Sequence, residues 1–333
     1  ARWVSEESDA PRGGVTQPCL CKVLRFRRSM VACLADLGPQ FLGFTAQASR
    51  GHGPLSAFVL APLLTVAALQ LALAVQDDAE PRTDAWSYEN PDDWPQHFPS
   101  CAGRGQSPLS VKHNSLMQTG NESLHQVLRH RQKVGGKLFN DGRAMVVRHA
   151  LGVLGHMTLP NGKYEVKELR FHFPAEHELE GWLADGELQI VHQLRGERDV
   201  SIVGIPLMAV DEAYMEKLDK IEASWARREL GFFKSLGFDK PMPTVQRAFN
   251  VKGVDLPAFS HVLAGPYAHY IGSLTSPPCT ELVHWYIPQR TAIVTPEMIY
   301  NFFTRVGSNS RPYKPMNGRL VVFNSIALED EFV

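Results

Sequence analysis

Past Pro81 the chain breaks into short runs in which apolar and polar residues alternate, separated by Gly, Pro and Asn. A period of two with turn residues between the runs is the pattern of many β-strands. Strands are expected at 137–139, 145–148, 165–173, 187–192, 200–210 and 319–323. Helical signals are few. Residues 211–236 are rich in Glu, Lys, Ala and Leu, and Thr295-Pro296-Glu297 supplies an N-cap followed by an N1 proline. The expected class is mainly β with peripheral helices. No internal repeat stands out, so residues 86–325 read as one domain with a tail at 326–333.

The exception to this texture is LSAFVLAPLLTVAALQLALA at 55–74, an uncharged run long enough to cross a bilayer as a helix. Arg50 and His52 precede it, and Asp77, Asp78 and Glu80 follow it. That asymmetry leaves the C-terminal part outside the cytosol. Ala72-Leu73-Ala74 also fits a small-x-small cleavage pattern, so the run reads as a signal peptide or a retained anchor, with cleavage preferred. Residues 1–54 are then a leader, expected to be disordered and without chemistry, and 75–85 a linker. The expected location is the secretory pathway, lumenal or extracellular, with membrane tethering only if 55–74 stays attached.

Composition narrows the partners. Of 333 residues, 44% are hydrophobic and 21% charged, enough for a substantial core. Thirty-four Lys and Arg against thirty-five Asp and Glu leave a net charge of −1, without the basic field that nucleic acid needs. Cys19 and Cys21 form a lone C-x-C without a partner pair and are read as incidental. Cys101 and Cys279 lie far apart, and are either one long-range bridge or two unrelated buried thiols. Asn121-Glu122-Ser123 is a glycosylation tripeptide in a secreted eukaryotic chain.

Candidate chemistry begins at Glu168-Leu169-Arg170-Phe171-His172-Phe173. On a strand, Glu168, Arg170 and His172 share one face and the three apolar residues the other. A second strand at 187–192 brings Gln189 alongside that polar stripe if the two strands pair. Pro174-Ala175-Glu176-His177 lies between them. Residues 270–279, YIGSLTSPPC, read as an unusual loop followed by a strand at 281–287.

In this order the segments resemble the α-class carbonic anhydrases, with their His-x-His strand, Ser-Glu-His turn, Glu-x-His strand and Gly-Ser-Leu-Thr-x-Pro-Pro-Cys loop. Gln106-Ser107-Pro108, Trp285 and the series Asn309, Arg311, Pro312, Pro315, Asn317 and Arg319 extend the likeness over about residues 86–325. The resemblance implies a central twisted, mostly antiparallel sheet with a conical cavity, a disulfide joining Cys101 to Cys279, and reversible hydration of carbon dioxide by zinc on three imidazoles. Laid on the motif, the first ligand position holds Arg170, the second His172 and the third Gln189.

Arginine has no free lone pair and carries its own positive charge. Unit charges about 4 Å apart at an effective dielectric of about 20 interact by roughly 4 kcal/mol, and a dication meets about twice that. A glutamine amide oxygen suits calcium or magnesium better than zinc. The position that often carries a proton-shuttling histidine in the family holds Arg143, which does not titrate near neutrality. Thr275 and Glu176 match the pair that orients the zinc-bound hydroxide, and His177 and Glu187 match outer-shell positions. Those acids and His177 are expected to satisfy buried hydrogen bonds, and Arg170 to pair with Glu168, Glu176 or Glu187.

The Arg, His and Gln combination is similar to that of the non-catalytic carbonic anhydrase-related proteins. The expected protein therefore has no intact catalytic set, no zinc or other cofactor, and a role as a binding or structural module for an unidentified protein partner. Bicarbonate or another small anion near Arg170 is a further expected ligand. The alternative is an active carbonic anhydrase in which His172, Gln189 and an unidentified third group hold the metal.

Overall fold

The computed structural model describes residues 86–112 and 123–324. The leader, the 55–74 run, the linker, the tail, Cys19, Cys21 and the Asn121-Glu122 part of the glycosylation tripeptide lie outside the described residues. Among the described residues no helix is long and apolar enough to cross a membrane.

A twelve-stranded sheet dominates. Its through-path uses nine strands: β1 (Val134–Asn140), β2 (Met145–Arg148), β3 (Gly162–His172), β4 (Gly186–Leu194), β5 (Val200–Ala209), β6 (Ala248–Val254), β7 (Tyr267–Ser273), β8 (Glu281–Pro288) and β9 (Val321–Asn324). Their spatial order is β6-β1-β2-β3-β4-β5-β8-β7-β9. Neighbours run antiparallel except β5 and β8, which are parallel. The mainly β class expected from the alternating pattern and the mostly antiparallel sheet implied by the resemblance are both present.

Apolar alternation decides which face is buried. Leu138, Val147, Leu169, Phe171, Leu188, Ile190, Val203 and Ile205 form one face of the main core. They pack beneath Phe232, Phe233 and Leu236 of helix α1 (Lys220–Leu236). Phe171 meets Phe238 at a centroid separation of 4.8 Å. A second cluster, centred on Trp285 and Tyr270, fills the opposite side of the sheet around β7 and β8.

The structure revises three expectations. The helical stretch 211–236 is two helices, Glu212–Met215 and α1, because Asp211 and Asp219 each cap a separate start. Asp219 accepts from the Ile221 and Glu222 amides at 2.7 and 2.8 Å, and Glu222 returns a bond to the Asp219 amide, a reciprocal cap that restarts the helix. Tyr270 to Ser273, read as loop, complete β7: β8 supplies the ladder throughout, and β9 pairs as far as Tyr270. The strand expected at 319–323 is β9, which starts only at Val321. By contrast, α2 (Pro296–Phe303) begins where the Thr295 cap and N1 proline place it.

Cys101 and Cys279 are bridged, with Cα atoms 4.9 Å apart. The bridge packs with Trp94 and ties the N-terminal segment to the loop after β7.

Candidate functional site

The site lies where β3 and β4 pair. In their register Arg170 faces Gln189 and His172 faces Glu187, with a bulge between Val166 and Glu168. The bulge matters because core positions before it are even-numbered, Tyr164 and Val166, and after it odd-numbered, Leu169 and Phe171. That one-residue shift places Glu168, Arg170 and His172 together on the polar face, beside Glu187 and Gln189.

Glu187 organises the turn between the strands. Its Oε2 accepts from the Glu176 and His177 amides at 3.1 and 2.9 Å. His177 Nδ1 sits 3.1 Å from both of its oxygens, and Gln189 Nε2 donates to Oε1 at 3.0 Å. Burial by itself would raise the Glu187 pKa, but the His177 charge and hydrogen bonds outweigh it and bring the carboxyl down to about 2. Behind it, a Cβ on Gly204 would lie 2.9 Å from Glu187 Oε1, so the acid needs a glycine there. His177 reaches on through Nε2 to the Tyr270 hydroxyl at 2.7 Å, which meets Ser107 Oγ at 2.8 Å.

Glu176 is fully buried. Its Oε1 accepts the Arg311 amide at 3.0 Å and its Oε2 accepts Gln189 Nε2 at 2.8 Å. Both amide protons of Gln189 are thereby spoken for by carboxylates, and the lone pairs it has left are on its amide oxygen. Thr275 is buried in the loop after β7.

His172 is held by Asn309, whose main-chain carbonyl lies 2.8 Å from Nδ1. A carbonyl only accepts, so Nδ1 carries a proton, and in the neutral ring the lone pair is on Nε2. Nε2 is buried and has no hydrogen-bond partner. The Asn309 side chain fixes the same strand end, accepting from the Phe173 amide and donating to the Phe171 carbonyl, both at 2.9 Å. Tyr88 packs edge-on to the His172 ring at 6.4 Å.

Of the three acids open to Arg170, Glu168 is its partner: Arg170 Nε donates to Oε1 at 2.6 Å. Arg148 Nε donates to the other oxygen at 3.0 Å. Burial raises the Glu168 pKa, and the two guanidiniums more than reverse it, so the acid is held below the usual carboxylate range. Arg143 lies over the Trp86 ring at 4.1 Å and donates from Nε to the Trp86 carbonyl at 3.2 Å.

The donors at the three aligned positions are thus one imidazole nitrogen, one amide oxygen and a paired guanidinium. Zinc takes imidazole, thiolate and carboxylate donors, and the guanidinium offers no lone pair, so these side chains do not fit that ion. Among the described residues no group of three or more His, Cys, Asp or Glu is arranged to hold a metal.

Sequence reasoning selected the stripe, the turn and the acids, and the structure brings them together. It missed Tyr88, which lies in an irregular N-terminal segment where no periodicity points inward. Asn309 and Arg311 were noted as motif members, not for the carbonyl and amide they turn toward His172 and Glu176.

A large, mostly antiparallel sheet carrying three aligned polar positions over a buried acid–histidine pair is the architecture of the α-carbonic anhydrases. The family model for eukaryotic-type carbonic anhydrase matches residues 89–204 and 242–325, and the chain belongs to that family. A carbonic anhydrase from Nostoc sp. is 26% identical over 266 residues, 78% of this chain and 93% of that protein. Dioscorin DB3S from Dioscorea polystachya is 25% identical over 253 residues, 72% of this chain and 87% of the relative. Among solved structures, the Photobacterium profundum α-carbonic anhydrase aligns with a TM-score of 0.58 at 22% identity, over 71% of this chain and 99% of that one. A likeness at that identity shows the shared fold.

Proposed function

We propose that this family member lacks a working zinc centre and carbon dioxide hydratase activity, and serves as a binding or structural module. The observation that carries the proposal is the Arg170 guanidinium at the first ligand position, fixed by Glu168 at 2.6 Å. A cation on this wall repels a dication and supplies no electron pair. The outer residues have a structural use without a metal: Glu176, Glu187, His177 and Gln189 satisfy one another in a buried network, where an orphaned polar group costs about 1–3 kcal/mol. The module's partner is a protein, with bicarbonate or another small anion near Arg170 as an accompanying ligand. The disulfide supports folding in an oxidising, secretory compartment. Membrane tethering adds to that only if the 55–74 run is retained.

One observation favours a second reading, an active enzyme with an altered metal shell. The His172 tautomer set by Asn309 leaves Nε2 as a buried, unpartnered lone pair, the state a metal ligand requires. Metal analysis of protein purified without chelator, combined with a carbon dioxide hydration assay, separates the two. Substoichiometric zinc without turnover supports the first reading, and one zinc per chain with inhibitor-sensitive turnover overturns it.

A further inference from the structure

Away from the candidate site, two imidazoles that take no part in anything described above meet between the sheet and a short outer strand. His192 is fully buried on β4, opposite Val166 of β3 and Ser201 of β5. His130 is half-buried at the end of the strand Leu128–His130, which pairs antiparallel with Gly155–Leu159. The two Nε2 atoms are 3.2 Å apart. With ring centroids 5.5 Å apart and planes 14° off parallel, the rings stand end to end in nearly one plane. A single proton between the two nitrogens joins them.

The burial of His192 fixes which ring donates. Its Nδ1 is buried and has no hydrogen-bond partner, so a proton there would be an orphaned donor. Ser201, its neighbour on β5, donates its hydroxyl to Met157 Sδ at 3.4 Å. His192 therefore donates from Nε2, and His130 Nε2 accepts with its own proton on Nδ1. A proton added to His130 Nε2 sets two N–H groups against each other. Moving the His192 proton to Nδ1 avoids that clash only by stranding it, and a second charge on the pair has no such escape.

We propose that the His130–His192 pair is an acid-released latch: one shared proton holds residues 123–130 on the sheet at neutral pH, and further protons on the pair release them. Ahead of His130 this segment puts Leu124 and Leu128 into the main core, and Ser123 donates to the Leu263 carbonyl at 3.3 Å. Release uncovers Leu124, Leu128 and the core beneath them, so the chain presents in acid an apolar face that it covers at neutral pH. The latch goes beyond the binding-module reading and does not depend on it.

The surrounding charges favour release. Those acting on the two rings are His125 and His156, which become positive in the same pH range. Around His156, Arg129, Arg131 and Lys163 add cations, and Arg129 donates to the Gln126 and Leu128 carbonyls at 2.7 and 2.8 Å. The nearby acids are directed elsewhere: Glu165 to Arg195 at 2.7 Å, and Asp199 to His284. Burial, then the neighbouring imidazoles, pull His130 well below the ordinary 6.5, and burial pulls His192 down to about 4. Released rings return to 6.5, so the closed state is fully favoured above that pH and loses ground as pH falls. Each ring shifts the balance tenfold per pH unit below 6.5, which at pH 5 is about 30-fold for one ring and about a thousandfold for both.

The test is amide hydrogen exchange of the whole chain between pH 7.5 and pH 5, corrected for the intrinsic pH dependence of exchange. The amides to follow are those of 128–131, the last of which donates to the Leu154 carbonyl at 3.0 Å. Their protection should fall by about a thousandfold, and by no less than about 30-fold, while Phe232 and Phe233 on α1 keep theirs. In His130→Gln, whose amide oxygen still accepts the His192 proton, one titrating ring remains and the fall should shrink to about 30-fold. In the double variant with His192→Gln it should vanish. His130→Gln, at a half-buried position, covers the case in which the double variant fails to fold. A fall of less than about 30-fold in the parent, an equal fall on α1, or the parent's full pH dependence in either folded variant each overturns the proposal.

Discussion

Replacing Arg170 and Gln189 together by histidine tests the central argument by rebuilding what it says is missing. The double variant places imidazoles at all three aligned positions, next to His172, whose tautomer Asn309 already sets. The electrostatic gain follows from the charge removed: about 8 kcal/mol against a dication at roughly 4 Å and an effective dielectric of about 20. Glu168 offsets part of that in the native chain because it lies 2.6 Å from Arg170 Nε. If half survives, about 4 kcal/mol remains, close to a thousandfold in zinc affinity before the two new donors are counted. Loss of Arg170 does not strand Glu168, which keeps Arg148 at 3.0 Å. The order of effects is also fixed: Gln189→His alone retains the guanidinium and should remain zinc-poor, Arg170→His alone should bind weakly, and the pair should reach one zinc per chain. The assay is elemental analysis after zinc loading and dialysis, with stopped-flow carbon dioxide hydration as the second readout. A folded double variant that retains no more zinc than the parent would refute the reasoning, since charge and donor identity would then not be what excludes the ion.

Three further outcomes follow from buried groups. Removing the Cys101–Cys279 bridge, which closes a sequence separation of 178 residues, should destabilise the chain by about 3–5 kcal/mol in guanidinium titrations, a loop-entropy figure near its upper end. Glu187, held at about 2 against 4.5 when unfolded, contributes stability that is complete above pH 4.5 and lost as pH falls through 2. Urea midpoints between pH 5 and 2 should therefore fall more steeply in the parent than in Glu187→Gln, which starts from lower stability. Glu229 works in the opposite sense: its folded value of about 8 lies above the unfolded 4.5, so its contribution is complete below pH 4.5 and is lost as pH rises to 8. Glu229→Gln, which keeps an acceptor for the Ile293 amide, should flatten that decline and be the more stable protein at pH 8.5; a parallel decline in both proteins would contradict it.

The polar stripe was legible because each of its parts is local. Alternation in Glu168–Phe173 gives the face, and the apolar partners Leu169 and Phe171 are in the core as that pattern requires. The register that makes the stripe a site was less so, since it depends on the bulge at Val166–Glu168. Its trace is the switch of apolar parity from Tyr164 and Val166 to Leu169 and Phe171, visible only if the whole strand is read at once. Tyr270–Ser273 passed for loop because glycine and serine depress strand propensity, whereas pairing to β8 along the whole stretch, and to β9 at Tyr270, overrides it. The acid that Arg170 selects could not be read from spacing, because Glu168, Glu176 and Glu187 are all within reach until the turn folds and Glu187 is taken by the Glu176 and His177 amides.

Glu229 shows the same boundary between pattern and contact. It sits at helical spacing within the stripe Ala226, Glu229, Phe232, Phe233 and Leu236, all buried on one side of α1. A helix read for its Glu and Lys content hides such a residue, whereas the 3.6-residue period marks it as an acid among core positions. Burial of an acid costs too much to be left without a donor. Here the donor on Oε2 is the Ile293 amide, and the atom beside Oε1 is His261 Nδ1, both contributed by segments more than thirty residues downstream. Period alone therefore exposes the anomaly, but only the packing of α1 against those segments shows which groups meet the acid.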